Sequence, residues 1–429
     1  MKKSLYNTAL SLSETHWLLY NALTDSFIIL RNSNQSSIDQ LYNDNKEDLI
    51  KGGFIIEDSV DELEILQDRL SSILNDSKIY SLIINPTLEC NFSCWYCYEE
   101  KRKGTLMSEQ TKEDLLLFIR RRFKEFSFLS LSFFGGEPFL AFNHTVLPII
   151  RKVQEYALLY DKDYRVSFTT NGSLLTDKKI TLLKEFRIGT FQITLDGDKS
   201  FHNKTRFFNN GDGSYDLIVQ NICKLLLAEI NVTLRVNYTA ENVSSINSVV
   251  LDLIDKTTSE MRKYLTIRLH QVWQTRSIDL SNEIDCIIRQ ISDHNIRVEQ
   301  PTFNYVIAPC YADRRHSAVV NYNGDVYKCT AVDFLNVARD GYLTAEGSIK
   351  WENNSNEERL IKRLNSTVSC KTCRIQPLCN GGCSQNTLQC NYSDNCLFDM
   401  SEEQKDRIVL DRFAMHLRTQ HLTKNTAFN

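Results

Sequence analysis

Between residues 80 and 270, short apolar runs that are typical of β-strands alternate with amphipathic helical stretches at intervals of roughly 25 to 45 residues. Parallel strands need this alternation, because each strand returns to the same edge of the sheet through a crossover helix. Six strands are predicted, at Ser81–Asn85, Leu129–Phe134, Arg165–Thr169, Thr190–Leu195, Val232–Asn237 and Leu265–His270. The pattern predicts an α/β fold, a partial (β/α)6 TIM-like barrel with its chemistry at the carboxyl ends of the strands.

The segments on either side of this barrel have a different character. Residues 1–78 predict a small α+β module, winged-helix-like, with two strands around a polar turn at Thr24 to Ser26. Residues 79–275 form the barrel, residues 276–300 a linker helix, and residues 301–429 a cysteine-rich domain with a closing amphipathic helix. The length of 429 residues agrees with two or three domains.

The thirteen cysteines are distributed unevenly. Three lie within residues 90–97 and eight within residues 310–396, while Cys223 and Cys286 are isolated on predicted helices and are interpreted as core residues. The chain shows neither a signal sequence nor an apolar run long enough to span a membrane, so we expect a cytoplasmic protein with no membrane partner. Thiols stay reduced in the cytoplasm, and clustered cysteines there favour metal sites over disulfides.

The charge balance argues against nucleic acid as a partner. The 50 basic and 54 acidic residues give a formal net charge of -4, and no domain-wide basic surface is predicted. Without such a surface, a chain has little affinity for a phosphate backbone.

A compact cysteine motif follows the first predicted strand. Cys90, Cys94 and Cys97 are spaced so that three thiolates from one loop can bind a single iron-sulfur cube. A cube has four irons, so one iron stays open to a small chelating molecule. The alternative is a zinc site, which needs a fourth Cys or His, and none occurs between Cys97 and His144.

This motif resembles the signature of the radical SAM family, Cys-x3-Cys-x2-Cys with an aromatic residue, here Tyr96, before the third cysteine. The resemblance covers roughly residues 80–275. It implies that a 4Fe-4S cluster binds S-adenosylmethionine and cleaves it reductively to a 5'-deoxyadenosyl radical. That radical then abstracts hydrogen from an otherwise inert C–H bond.

Other motifs of this family fall at the ends of later predicted strands. Gly135-Gly136-Glu137-Pro138 resembles the family segment that binds the methionine amine, and Thr170-Asn171-Gly172 resembles the segment that contacts the ribose. Further resemblances place Asp196, Arg206 and Asn237 in the same pocket, with Arg206 pairing with the methionine carboxylate. The predicted cofactor-binding residues are Tyr96, Gly135, Gly136, Glu137, Thr170, Asn171, Asp196, Arg206 and Asn237. His270 points either into the cavity or into the barrel wall.

The second cysteine group resembles the SPASM extension of radical SAM enzymes, in which two auxiliary 4Fe-4S clusters bring the total to three. Taken alone, four cysteines within residues 370–383 also suit zinc. By motif position, the outer auxiliary cluster is held by Cys370, Cys373, Cys379 and Cys396, and the inner one by Cys310, Cys329 and Cys383. The inner set has only three thiolates, so its last iron is open or capped by Cys390 or a non-thiol group. Cys390 also rivals Cys396 for the outer cluster.

The resemblance implies an oxidoreductase that matures a ribosomally made precursor peptide through a thioether or carbon-carbon crosslink. Its partners are the precursor peptide and an electron donor such as flavodoxin or ferredoxin. An anaerobic sulfatase maturase, which forms formylglycine, is the first alternative, although Thr330 stands after Cys329 where that group has Asp, and its extra upstream cysteine is missing. A non-enzymatic iron-sulfur electron carrier is the second. No general base is identified, although Asp325 and Asp333 are candidates.

Overall fold

The computed structural model describes residues 1–32, 37–275, 278–294, 296–299, 309–364, 367–389, 396 and 398–426. The chain divides into two compact units. The first unit combines residues 1–76, 302–315 and 356–429, and the second combines residues 77–301 and 316–355. Among the described residues, no helix combines the length and the apolar character that crossing a membrane requires.

The strands of both units are numbered in chain order. They are β1 (Lys2–Lys3), β2 (Asn7–Ser13), β3 (His16–Asn21), β4 (Ser26–Arg31), β5 (Ile55–Ile56), β6 (Ile79–Ile84), β7 (Phe128–Phe133), β8 (Asp163–Thr170), β9 (Ile188–Leu195), β10 (Val232–Tyr238), β11 (Leu265–Gln271), β12 (Arg297–Glu299), β13 (Ser317–Val320), β14 (Asp325–Tyr327), β15 (Gly341–Leu343) and β16 (Ile349–Trp351).

The α-helices follow the same numbering. They are α1 (Ile38–Asp44), α2 (Lys46–Lys51), α3 (Glu62–Leu74), α4 (Glu109–Arg122), α5 (Leu147–Tyr160), α6 (Asp177–Leu183), α7 (Lys199–Thr205), α8 (Tyr215–Leu227), α9 (Ile246–Lys256), α10 (Ser259–Arg262), α11 (Ser281–Asp293), α12 (Ser355–Leu364), α13 (Val368–Lys371), α14 (Gln376–Cys379), α15 (Ser384–Gln389) and α16 (Glu402–Thr426).

The second unit is built on one large sheet with the strand order β12-β11-β10-β9-β8-β7-β6-β13-β14-β15-β16. Strands β6 to β11 are parallel neighbours, and they confirm the six predicted strands to within two residues at each end. The sequence prediction missed β12 and β13, which extend the parallel part at either side. They have three and four residues, too few for a periodic pattern to be recognised.

The two faces of the parallel strands differ in polarity. On β7 and β8 the buried face carries Leu129, Leu131, Val166 and Phe168, which pack among the helices in the main hydrophobic core. The alternate residues are mostly polar, because side chains along a strand point to opposite faces in turn. A half-barrel of this kind has an apolar outer face covered by helices and a polar inner face available for ligands. This agrees with the predicted α/β fold class.

Several crossover helices begin where a side chain caps the first turn. The hydroxyl of Ser108 accepts from the backbone amide of Thr111 at the start of α4, and Thr176 and Asp198 cap α6 and α7 in the same way. Such caps satisfy backbone amides that have no partner within the helix. The caps mark where each helix begins after its loop.

The first unit contains a three-stranded antiparallel sheet in the order β2-β3-β4. The hairpin between β3 and β4 turns at Asp25, which has a positive φ of 57°, and it confirms the predicted turn. The strands carry core residues of two clusters: Leu19 packs with residues of α1 and α2, while Tyr20 packs with Leu378 and Val409. The sheet is therefore buried on both faces. Its winged-helix-like character stays a prediction.

Candidate functional site

A cleft lies at the carboxyl ends of the parallel strands and encloses about 1050 Å³ of space, its open mouth included. Its lining includes ten of the twelve residues that the sequence predicted for this half-barrel: Cys90, Cys94, Cys97, Tyr96, Gly135, Gly136, Thr170, Asn171, Arg206 and Asn237. The other two, Glu137 and Asp196, are buried and do not line it. His270 lines the cleft as well, so of its two predicted orientations the structure shows the one toward the cavity.

The loop that carries the three cysteines is held by amides that the sequence prediction missed. The side chain of Asn91 donates to the hydroxyl of Ser173 at 2.9 Å and accepts from the side-chain amide of Asn171 at 2.8 Å. From the other side, the side-chain amide of Asn209 donates to the carbonyl of Cys90 at 3.0 Å. These bonds join the cysteine loop to the loops that follow β8 and α7, so the thiols have a defined position.

The three thiols differ in exposure. Cys90 and Cys94 are half-buried, whereas Cys97 is exposed. Burial raises the pKa of Cys90 to about 12, and the nearby charge of Glu137 contributes. Burial likewise raises the pKa of Cys97. Without a metal the thiols of Cys90 and Cys97 are protonated at neutral pH, and metal binding would release their protons.

The donor set of three thiols on one loop suits an iron-sulfur cube by its chemistry. Among the described residues, no group of three or more His, Cys, Asp or Glu side chains is placed to hold one metal ion. A cube spreads its thiolate ligands farther apart than one ion does, because each thiolate binds a different iron. Cys90, Cys94 and Cys97 would hold such a cluster, which supplies electrons for reductive chemistry when bound.

Gly135 and Gly136 bring the end of β7 against the start of the cysteine loop. A Cβ atom on Gly136 would lie 2.1 Å from the carbonyl oxygen of Glu89, and Gly135 has a positive φ of 94°. The backbone amides of Gly136 and Glu137 donate to the carbonyls of Thr87 and Glu89 at 3.1 and 2.7 Å. Only glycine permits so close an approach. The Gly-Gly pair therefore forms a side-chain-free wall of the cleft.

Glu137 is turned away from the cleft and fully buried. Its carboxylate accepts from the hydroxyl of Thr170 at 2.7 Å and from the backbone amides of Asn171 and Phe139 at 2.7 and 3.0 Å. Burial raises its pKa, while these three hydrogen bonds oppose the rise. Glu137 thus joins the loop after β7 to the loop after β8, and its predicted contact with an ammonium group stays a prediction.

Tyr96 is the centre of a hydrogen-bond network at the cleft. Its hydroxyl donates to Oδ2 of Asp196 at 2.5 Å, and it accepts from Nη1 of Arg206 at 2.7 Å and from Nδ2 of Asn237 at 3.1 Å. Four predicted residues from the cysteine loop, β9, α7 and β10 therefore meet at one oxygen. Burial raises the pKa of Tyr96, so the hydroxyl keeps its proton.

The same network sets the charges of Asp196 and Arg206. Burial raises the pKa of Asp196 to about 6, although the Arg206 charge lowers it. Nε of Arg206 is buried and has no hydrogen-bond partner among the described residues. A carboxylate bound in the cleft would satisfy this donor, so the residues present fit the methionine end of S-adenosylmethionine.

His202 is buried and contacts Asp196, which belongs to this network, and Ser214. Its Nδ1 accepts from the backbone amide of Asp196 at 3.2 Å, and its Nε2 lies 2.9 Å from the hydroxyl of Ser214, which itself donates to the carbonyl of Arg206 at 2.6 Å. Nε2 therefore carries the proton. Burial lowers the pKa of His202 well below its usual range, so the imidazole is neutral. The side-chain oxygen of the neighbouring Asn203 accepts from the backbone amides of Ser214 and Tyr215 at 2.9 and 3.0 Å, at the start of α8.

Glu99 is a further residue that the sequence prediction missed. It lines the cleft, it is buried, and its Oε1 has no hydrogen-bond partner among the described residues. Burial raises its pKa to about 8, with a contribution from the charge of Asp333. Only its position directly after the cysteine motif could have pointed to it.

The two carboxylates that the sequence offered as candidate general bases both have partners. Asp325 pairs with Arg339 at 2.8 Å, and Asp333 accepts from Asn336 at 2.7 Å.

Similarity to a known family decides the class of this protein. Residues 84–253, which contain the cysteine loop and the Tyr96 network, match the Radical SAM superfamily. The chain contains a radical SAM domain. The relatives of the chain include an enzyme that matures sulfatases.

Two curated proteins are similar to this chain in sequence. A cysteine-type anaerobic sulfatase-maturating enzyme of Clostridium novyi is 26% identical over 346 residues, which span 72% of this chain and 89% of that enzyme. The radical SAM cyclopropyl synthase TigE of Paramaledivibacter caminithermalis is 25% identical over 205 residues, which span 42% of this chain and 40% of TigE.

Solved structures agree on the fold. A structure of anSMEcpe with bound AdoMet and Kp18Cys peptide has a TM-score of 0.59 at 17% identity, covering 81% of this chain and 99% of that chain. SuiB of Streptococcus suis bound to its precursor peptide SuiA has a TM-score of 0.54 at 15% identity, covering 90% of this chain and 96% of that chain. At these identities the likeness concerns the fold alone.

Beyond the radical SAM domain, four cysteines predicted for the outer auxiliary cluster interact electrostatically within the first unit. Burial raises the pKa of Cys379 to about 12, and the charges of Cys370, Cys396 and Cys373 add to that rise. Burial also raises the pKa of Cys373, to which Cys370 and Cys396 contribute. Thiols that affect one another in this way are close neighbours. Their assignment to one cluster stays a prediction, and Cys390 lies outside the described residues.

The cysteines predicted for the inner auxiliary cluster are distributed over both units. Cys310 and Cys383 belong to the first unit and are half-buried, while Cys329 belongs to the second unit and is buried. A buried salt bridge lies close in sequence to Cys310. Nε of Arg363 donates at 2.6 Å to Oδ2 of Asp313, which is three residues after Cys310. Arg363 also donates to the carbonyls of Asn380 and Gly382, which lie within the turn between Cys379 and Cys383.

Proposed function

We propose that this radical SAM enzyme is a SPASM-type maturase that crosslinks a ribosomally made precursor peptide through a thioether or carbon-carbon bond. Bound cluster and S-adenosylmethionine would supply the 5'-deoxyadenosyl radical that removes a hydrogen atom from the peptide. A crosslink removes two hydrogen atoms in all, so a second electron and a proton must also leave the peptide. We infer that auxiliary 4Fe-4S clusters take that electron and pass it to an external carrier such as flavodoxin or ferredoxin.

The observation that carries the peptide proposal is the edge strand β4 (Ser26–Arg31) of the first unit. In the described part of the chain β4 pairs with β3 only, so its other edge presents unpaired amides and carbonyls. Ile29 on this strand is 49% exposed, an apolar side chain available to a ligand. An edge of this kind recognises an extended peptide by strand addition, which suits a leader sequence.

The electrostatic effect of neighbouring thiols on the pKa values of Cys373 and Cys379 supports the SPASM part of the proposal. The four outer-cluster thiols come from three short segments, yet Cys370, Cys373 and Cys396 each contribute to the raised pKa of Cys379. Four thiolates suffice to close a 4Fe-4S cube with no open iron. A closed cluster cannot bind S-adenosylmethionine, and it is therefore suited to electron transfer.

Sulfatase maturation is the second candidate function. The 26% identity to a sulfatase-maturating enzyme, over 89% of that enzyme's length, favours it. Against it, Thr330 follows Cys329 where those enzymes typically have Asp, and no cysteine lies between Cys286 and Cys310. The two functions differ in the product, since formylglycine formation replaces a cysteine sulfur with oxygen whereas a crosslink removes only hydrogen.

The test is anaerobic reconstitution with iron, sulfide, S-adenosylmethionine and a reductant. The reconstituted enzyme is incubated with short peptides encoded beside its gene and, in parallel, with a sulfatase-derived Cys peptide. We expect 5'-deoxyadenosine and a peptide lighter by two hydrogens, with a crosslink in the fragment spectrum. Formylglycine in the second peptide alone would transfer the assignment to sulfatase maturation. A fully loaded protein that yields no 5'-deoxyadenosine would support a plain electron carrier.

The leader site is tested separately. Ile29→Asp places a charge on the exposed face of β4, and we expect it to weaken leader-peptide binding roughly tenfold while peptide-independent cleavage of S-adenosylmethionine is unchanged. Leu12→Asp is the matched control, because Leu12 on β2 is 41% exposed. Equal effects of both substitutions on fluorescence anisotropy of a labelled leader peptide would remove β4 from the proposal.

A further inference from the structure

Arg235 on the inner face of β10 has a guanidinium group that is only partly used. It lines the cleft and is half-buried, and its Nε donates to Oδ1 of Asn237 at 2.8 Å. Its Nη1 and Nη2 atoms make no hydrogen bond or ion pair with any residue that the structure describes. These two atoms are not among the fully buried polar atoms without a partner, and Arg235 lines the cleft, so the charged end of the side chain is accessible from its open space.

A second guanidinium lies directly beside the first. Arg235 on β10 and Arg268 on β11 are register partners in neighbouring parallel strands, which places both side chains on the inner face of the sheet. Arg268 is held from its far side by Glu299, with its Nη2 at 2.7 Å from Oε2, and its Nη1 donates to Gln192 at 3.3 Å. Arg268 therefore already has a carboxylate partner, whereas Arg235 has none in the described chain.

The nearby acidic groups do not pair with Arg235. Asp196 is engaged by the hydroxyl of Tyr96, and Glu99, although it lines the cleft, makes no hydrogen bond to Arg235. Burial lowers the pKa of Arg235. The charges of Tyr98, Tyr96 and Asp196 oppose this effect, and the positive charge of Arg206 adds to it. Adjacent like charges in a partly dehydrated cleft are unfavourable unless an anion is bound between them.

The strand on the other side of Arg235 adds a neutral donor. Thr194 on β9 is the register partner of Arg235, and it lines the same cleft. A guanidinium fork beside a hydroxyl matches the two oxygens of a carboxylate, which accepts two parallel N–H bonds. Phosphate would suit the fork equally, but apart from the C-terminal carboxylate a peptide substrate carries its anionic groups as aspartate and glutamate side chains.

We propose that Arg235, with Thr194 and the neighbouring charge of Arg268, forms a subsite for an aspartate or glutamate side chain of the peptide substrate. This inference rests on the proposed peptide-modifying function and goes beyond it by naming a residue class in the substrate. It is distinct from the site predicted for the methionine carboxylate at Arg206, whose buried Nε has no hydrogen-bond partner among the described residues.

The experiment measures which peptides the reconstituted, S-adenosylmethionine-loaded enzyme retains from an equimolar random hexapeptide library. Retained peptides are sequenced by mass spectrometry. We expect roughly tenfold enrichment of Asp and Glu at one position, because a charge-assisted bidentate contact discriminates to about this extent. Arg235→Met should abolish the enrichment, and Arg235→Lys should retain part of it because the charge stays and the fork is lost. The matched control is Arg187→Met, which removes an exposed guanidinium paired with Asp163 on the same domain.

The outcomes separate this inference from the proposed function. Retention of peptides without an acidic preference, or a preference that survives in Arg235→Met, would overturn the subsite alone. Retention of no peptide by any variant would overturn the proposed function and the subsite together. S-adenosylmethionine affinity, measured by equilibrium dialysis, should fall less than tenfold in Arg235→Met, because the variant loses the bond from Nε to Asn237 but keeps the bonds of the Tyr96 hydroxyl to Asp196 and Arg206. A tenfold loss of that affinity would assign Arg235 to the cofactor carboxylate and would also overturn the subsite.

Discussion

The hydroxyl oxygen of Tyr96 lies 2.5 Å from Oδ2 of Asp196, a residue 100 positions away in the sequence. The first belongs to the cysteine loop and the second follows β9, so this bond connects the cysteine loop to the end of β9. Arg206 and Asn237 donate to the same hydroxyl. Tyr96, the residue before the third cysteine, therefore contributes three hydrogen bonds through its hydroxyl in addition to its aromatic ring.

Tyr96→Phe should destabilise the protein and weaken S-adenosylmethionine binding. The substitution keeps the ring but leaves Asp196 without its donor and Arg206 without an acceptor, at a cost of about 1.5–3 kcal/mol. Thermal unfolding of the reconstituted enzyme and equilibrium dialysis with the cofactor would measure both effects. Tyr156→Phe is the control, since Tyr156 is half-buried and its hydroxyl forms no hydrogen bond with the described residues. Identical behaviour of the two variants would refute the role of the network.

The two groups of cysteines should behave differently when replaced. Cys90→Ala, Cys94→Ala or Cys97→Ala should abolish formation of 5'-deoxyadenosine, because the remaining thiols cannot hold the cofactor-binding cube. Cys370→Ala or Cys373→Ala should leave some cleavage and lose the peptide product. Analysis of the products and of the iron content per chain distinguishes the two groups. The control is Cys223→Ala, because Cys223 is a half-buried residue on α8 that belongs to neither group. If replacement of Cys373 stopped cleavage as completely as replacement of Cys90, the division of labour would be wrong.

Stability should fall on acidification in a way that depends on His202. Because the folded state holds this imidazole neutral, its folded pKa lies below its unfolded value, and the unfolded chain binds more protons below about pH 6.5. The stability that His202 contributes is therefore complete above that pH and falls by up to about 1.4 kcal/mol per pH unit below it. His202→Gln should flatten the dependence of the melting temperature on pH between pH 7.5 and 5.5 relative to the wild type. Parallel curves for the wild type and His202→Gln would contradict this.

Gly136→Ala should displace the end of β7 from the cysteine loop. Its Cβ would lie 2.1 Å from the carbonyl oxygen of Glu89, so the backbone must move, at a cost of about 1–3 kcal/mol or more. Lower iron content and a lower melting temperature are expected together. Gly211→Ala serves as the control, because its Cβ would meet no atom within 4 Å and only its positive φ of 91° is strained. A reconstituted Gly136→Ala enzyme with full iron content would contradict the predicted close approach.

Breaking the buried pair between Asp313 and Arg363 should release the turn between Cys379 and Cys383. Both side chains are at most 4% exposed, and removing one partner of such a pair costs about 3–5 kcal/mol. Arg363→Met should lose auxiliary-cluster iron while 5'-deoxyadenosine formation persists. The control is Arg315→Met, since Arg315 and Glu357 form an exposed pair worth about 0–1 kcal/mol. Iron content of Arg363→Met equal to that of the control would show that the pair does not organise the cluster segment.

Local sequence patterns were sufficient for the half-barrel and for the cysteine loop. Strand periodicity located β6 to β11, and the spacing of Cys90, Cys94 and Cys97 placed three thiols on one loop. Both depend on neighbours within a few residues along the chain. The short strands β12 and β13 were missed, because they become strands by pairing with β11 and β6.

The sequence by itself determined the parallel α/β sheet, the cysteine loop at its carboxyl edge and the set of side chains that meet there. Only the tertiary structure decided how those side chains are used: Glu137 faces the protein interior, Tyr96 joins Asp196 to Arg206, and Arg235 lies beside Arg268. The physical reason is that hydrogen bonds and charge pairs between distant segments depend on strand register and on burial. Neither is encoded in the spacing of nearby residues.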